Sequence, residues 1–144
     1  MSARGAGMVV RRARGEDGAA AVEFALLLPV LLIILFGIID FGRMYNTQIT
    51  LTQAAREGVR QLALGNITDP TSATKAAAYP IKASDITVTW TSCPAVPQPT
   101  DSATVTATTA FSYVTPINSI FNLLGLSTLA APTITGKGEM RCGG

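Results

Sequence analysis

Three features of this 144-residue chain point to an α+β fold: a long N-terminal helix, transmembrane and then extended outward, followed by a small antiparallel sheet domain. First, Ala19 to Ile39 is a run of 21 residues with a single charge, Glu23, which as a helix is long enough to cross a bilayer core. Second, the residues after this run keep apolar side chains at helical spacing. Third, the chain beyond Gly65 is rich in threonine and contains stretches, Ile86 to Thr91 the clearest, that alternate at a period of two. Helix first and strands afterwards is the α+β order.

The apolar run favours insertion. Ten Leu or Ile residues lie between Leu26 and Ile39, and at roughly −0.5 kcal/mol each they outweigh the cost of about +3 for one central acidic residue. Glu23 is not central. Phe24 to Ile39 rises roughly 24 Å against a core of about 30 Å, so Glu23 can sit at one boundary, and Asp40 marks the other. Pro29 inside the run is expected to bend the helix, as a tolerated membrane proline or as a functional one. Met44, Leu51, Ala55, Val59 and Leu62 then form an apolar stripe. Arg43, Gln48, Gln53, Glu57, Arg60 and Gln61 fill the other faces. Gly65-Asn66 is a stop signal, so one helix from about Ala19 to Leu64 is expected, roughly 69 Å long.

After Gly65 the composition changes, with fifteen threonines between Thr68 and Thr135. Asp69-Pro70 opens a short helix that ends by Tyr79. Ile86 to Thr91 reads as a half-buried strand. A second strand carries Ala103, Val105, Ala107, Phe111 and Tyr113 on one face. Pro116 to Leu124, closed by Gly125, reads as a short helix burying Ile117, Ile120, Phe121 and Leu124. A third strand is expected between Thr128 and Arg141, irregular or at an edge because of Pro132. The resulting division is a leader at 1–18, a membrane helix at 19–41, its amphipathic extension at 42–65 and a Thr-rich β domain at 66–144.

The net charge of +2 sits wholly in the first 18 residues, where Arg4, Arg11, Arg12 and Arg14 face Glu16 and Asp17. This bias predicts a single-pass protein of the cytoplasmic membrane, N-terminus inside and C-terminal domain extracytoplasmic. No basic patch stands out beyond residue 18, so nucleic acid is not an expected partner. The chain has no histidine and no evident nucleophile with its base, so neither an enzyme, a small-molecule substrate nor a cofactor is expected. Cys93 and Cys142 both fall in the exported part, where a disulfide persists, and two cysteines without histidine make no zinc site. A bridge between them closes a loop worth about 4 kcal/mol in the chain-entropy model, useful to a domain with a small core.

The leader that ends in Gly18 and is followed, after four intervening residues, by Glu23 and Phe24 resembles the processing motif of type IV prepilins. The stretch from Gly18 through Val22-Glu23-Phe24-Ala25-Leu26-Leu27-Leu28-Pro29 to Asp40-Phe41-Gly42-Arg43 is similar to the TadE-like (TadE/TadG) family. So is Leu51-Thr52-Gln53-Ala54-Ala55-Arg56-Glu57-Gly58-Val59-Arg60. These are pseudopilins or minor pilins of tight-adherence (Flp-type) pilus systems. The resemblance implies cleavage between Gly18 and Ala19 by a prepilin peptidase, and a Glu23 carboxylate that pairs with the new Ala19 amine of a neighbouring subunit. It implies as partners the bilayer, other pilins or pseudopilins and the pilus assembly machinery. The other reading of Glu23 is a residue that snorkels to water and favours the helix start by its charge.

Two rivals stay open. A secreted protein with a cleaved signal peptide needs a small-residue cleavage site before the amphipathic helix, and the sequence shows none. A single-pass anchor carrying an unrelated adhesive or sensor domain fits the hydropathy but leaves Gly18 and Glu23 without purpose.

Overall fold

The computed structural model describes residues 16–142. Most of the expected leader, with its four arginines, lies outside the described residues. Helix α1 spans Glu16–Ala63, 48 residues and roughly 72 Å, and runs unbroken through Pro29. It ends where the sequence places a glycine. Gly65 has a φ of 71°, which a side chain would resist. The Asn66 amide donates to the Gln61 carbonyl and the Gly65 amide to the Leu62 carbonyl, both at 3.1 Å, so the last orphan carbonyls are satisfied.

Beyond it follow α2 (Thr71–Ala77), a 3-10 turn (Ala83–Asp85), β1 (Ile86–Thr91), β2 (Ser102–Ala110), α3 (Ile117–Leu123) and β3 (Thr133–Arg141). The three strands form one antiparallel sheet in the order β1-β2-β3. The architecture is α+β: a long N-terminal helix and a small antiparallel sheet.

One face of the sheet lies on the outer half of α1. The core joins Leu51, Ala54, Ala55, Val59 and Leu62 of the helix to Ile86, Ala103, Val105, Ala107 and Ile134 of the strands. The helical stripe read from the sequence is therefore the face that packs, with Met44 at its partly buried edge. β3 comes closest. A Cβ on Gly136 would lie 2.3 Å from the Leu51 carbonyl carbon, and one on Gly138 would lie 2.6 Å from the Ala55 carbonyl oxygen. Only glycine lets the strand backbone rest on the helix backbone at these two positions. The outward face carries Thr87, Thr89, Thr104, Thr106, Thr108 and Thr135 in paired rows.

Two expectations are refined by the structure, and the second of them needs correction. The first concerns only the choice that Pro132 left open: of an irregular strand or an edge strand, β3 is the edge strand, and all nine of its residues pair with β2 in continuous register. Pro132 lies just before the strand, where its carbonyl accepts the Phe111 amide at 2.9 Å. In α3, Ile117 is buried, but Ile120 and Phe121 are only partly so and Leu124 is exposed. The reason is that α3 packs chiefly against α1 and none of its residues joins the core cluster between helix and sheet.

Candidate functional site

Two places on α1 carry polar groups of interest. The first is its N-terminal section. Every residue from Gly18 to Leu28 is exposed, so Gly18, Ala19, Glu23 and Phe24 stand on a helix with no covering element. A Cβ at Gly18 would meet no atom within 4 Å. Ala19 and Glu23 are four residues apart and share one face, one turn apart. The helix that carries them is long and apolar enough to span a membrane, with a mean hydropathy of 2.8 in a window none of which is buried.

The second place is Asp40, where the apolar run ends. Its carboxylate is only 3% exposed. Oδ1 accepts the Val114 amide at 3.1 Å, and Oδ2 accepts the Thr115 hydroxyl. One turn on, Arg43 places Nη1 3.7 Å from Oδ1, donates to the Ser112 carbonyl at 3.4 Å and covers the Phe111 ring at 5.6 Å. Phe111 in turn meets Tyr113 edge to face, with ring centroids 5.5 Å apart. A buried carboxylate needs such donors, because an unpaired one would shed its charge or leave the interior. The cluster fastens the β2–β3 connection to α1 where the apolar section stops.

Both places fall inside one sequence segment. Residues 18–60 match the TadE-like protein family. The family is pilus-related, and the TadE-like segment takes in Gly18, Ala19, Glu23, Phe24, Asp40 and Arg43 together with most of the face of α1 that holds the sheet. It covers under a third of the chain and ends before the β domain. No curated protein and no solved structure matches the chain.

Outside the TadE-like segment, Cys93 and Cys142 are joined, their Cα atoms 5.7 Å apart. Cys93 follows β1 and Cys142 follows β3, so the bridge links the two edge strands across the end of β2. The Cys142 amide donates to the Asp101 carbonyl at 3.0 Å, which closes the same end.

The sequence pointed to Gly18, Ala19, Glu23, Phe24 and the cysteines, and it treated Asp40 only as a boundary. The available signal was the Asp40–Arg43 pair one turn apart directly after an apolar run. Its partners lie more than 70 positions away and are backbone and hydroxyl groups, which leave no trace in a sequence pattern.

Proposed function

We propose that this chain is a minor pilin or pseudopilin acting in assembly of a tight-adherence (Flp-type) pilus. It is anchored in the cytoplasmic membrane by the apolar half of α1, with the disulfide-linked sheet domain outside the cytoplasm. A prepilin peptidase cuts after Gly18, and Glu23 receives the Ala19 amine of a neighbouring subunit. The observation that carries this reading is the TadE-like segment coinciding with a bare helix that presents Gly18 and Glu23.

Physical chemistry supports the steps. A peptidase needs access to the bond it cuts, and the space around Gly18 is open. A carboxylate at the edge of an apolar segment seeks a cation, and cleavage creates one a single turn away. Because Ala19 and Glu23 share a face, a parallel neighbour displaced along the helix axis can bring its amine to the carboxylate.

The test is the mature N-terminus of protein recovered from its native membrane. Ala19 is expected, and Gly18→Val should leave the uncut precursor. A wild-type chain with an intact leader would favour a simple anchor, and a start beyond Ile39 would favour a secreted protein.

A further inference from the structure

The connection between β2 and β3 bears a cluster of exposed apolar side chains. Val114 is 67% exposed and Leu123 87%, and Leu124, Leu126 and Leu129 are also exposed. Between Asp101 and Lys137 the sequence has no charged residue. Asn118, Asn122, Ser127 and Thr128 interleave with the apolar side chains.

The packing fixes where this surface lies along α1. Gly136 of β3 rests on Leu51–Thr52 and Gly138 on Ala55–Arg56, so β3 advances along α1 in the same direction as the helix. The start of β3 and the end of β2 therefore point back towards the apolar half. Phe111 lies under Arg43, and Val114 and Thr115 hang on Asp40. The apolar cluster is thus held at the level where the apolar section of α1 ends. There α1 itself exposes Ile38, Ile39, Phe41 and Tyr45. Of the two charges at this level, Asp40 is turned inward onto protein donors, and Arg43 is paired with it and donates to the Ser112 carbonyl.

We infer that the 114–129 connection, with α3, is a membrane-interface foot that lays Val114, Leu123, Leu124, Leu126 and Leu129 into the headgroup–acyl boundary of the bilayer spanned by α1. The inference rests on the proposed membrane anchoring and goes beyond it, since an anchored domain could equally stand clear of the lipid. Three observations select lipid as the occupant. The surface continues that of the apolar helix, it lacks charge over its whole length, and its five apolar side chains are exposed together, as burial in a headgroup–acyl boundary requires. Phe41 and Tyr45 sit at the depth where membrane proteins place aromatic side chains. The foot and the Asp40 cluster together set the tilt of the sheet domain over the membrane.

Depth-dependent fluorescence quenching of the full chain in phospholipid vesicles tests this. The single native tryptophan, Trp90, is a built-in control. It pairs with Val105, which pairs with Gly138, and Gly138 rests on Ala55, roughly 22 Å along the helix beyond Asp40. In a Trp90→Phe background, Leu126→Trp and, separately, Leu123→Trp place a reporter in the foot, and Val30→Trp places one in the span. With lipids brominated near the headgroup, both foot reporters should be blue-shifted and lose about half their emission, as expected for insertion of roughly 5–10 Å. Trp90 in the wild type should be unaffected. If Val30→Trp is quenched by chain-brominated lipid but neither foot reporter responds, the anchor holds and the foot is wrong. If none responds, the membrane reading itself fails. Foot reporters that are blue-shifted without lipid quenching would mean that another copy of the chain covers the surface, which also overturns the inference.

Discussion

Replacing Asp40 by alanine removes both acceptors that hold the β2–β3 connection to α1. The Val114 amide loses its partner at 3.1 Å, and the Thr115 hydroxyl loses the other carboxylate oxygen. Hydrogen bonds to a charged group contribute about 1.5–3 kcal/mol each, but the two losses are unequal. The Thr115 hydroxyl can rotate to water or another acceptor, whereas the Val114 amide, although its side chain is exposed, is held in place by the backbone. Arg43 is nearly half exposed and gives up little when its 3.7 Å contact disappears. The local cost therefore comes chiefly from the Val114 amide and should be about 2–4 kcal/mol. That corresponds to roughly 30- to 1,000-fold faster hydrogen exchange at Val114, if exchange proceeds through detachment of this connection. The measurement is site-resolved exchange on the full chain in a bilayer mimic. Asp40→Asn keeps an acceptor oxygen and should fall between the two, while Thr115→Val should cost about 1 kcal/mol. Amides in the centre of β2, such as Val105, should be unaffected because their exchange follows opening of the sheet. Unchanged protection of Val114 in Asp40→Ala would refute the clasp.

Other outcomes follow from the same structure. Gly136→Ala drives a methyl group to within 2.3 Å of the Leu51 carbonyl carbon, which neither backbone can relieve locally. It should cost about 3 kcal/mol or more, seen as a lower urea midpoint, and an unchanged midpoint would contradict the described helix–strand contact. Glu23→Ala should leave protein level and the Cys93–Cys142 bridge intact while pilus-related assembly is lost; assembly at the wild-type level would end the pairing proposal. Glu57 receives two hydrogen bonds from Arg60, at 3.0 and 2.9 Å, and one from Gln61 at 2.8 Å, and these, the Arg60 bonds foremost, hold its carboxyl down at about 2. Because the folded value lies below the ordinary one, its contribution to helix stability is complete above about pH 4.5 and is lost as pH falls towards 2. Carboxyl chemical shifts should place its midpoint near 2, and Arg60→Gln should raise it; a midpoint that Arg60→Gln leaves in place would show that the Arg60 bonds do not set it.

Much of this molecule is legible in the sequence because its elements are set locally. The single helix, its stop at Gly65 and the face of α1 that packs come from periodicity and from one glycine's freedom to adopt a positive φ. The strand at Ile86–Thr91 shows as strict alternation, and two cysteines allow only one intramolecular bridge. Gly18 and Glu23 are proposed from a different kind of signal. Their spacing from the leader is a linear signal, and the fold leaves them bare rather than repositioning them.

Tertiary structure alone decided the remainder. Asp40 is a boundary charge in the sequence and a buried clasp in the fold, because its partners come from a loop more than 70 residues away. The role of Gly136 and Gly138 shows only once α1 is seen lying against them. Leu124 reads as core because the sequence shows that a short helix is amphipathic, not whether anything covers its apolar face. Local preference is written in neighbouring residues. Which surface meets which, and which apolar face is left uncovered, depends on contacts between distant segments that form only when helix and sheet dock.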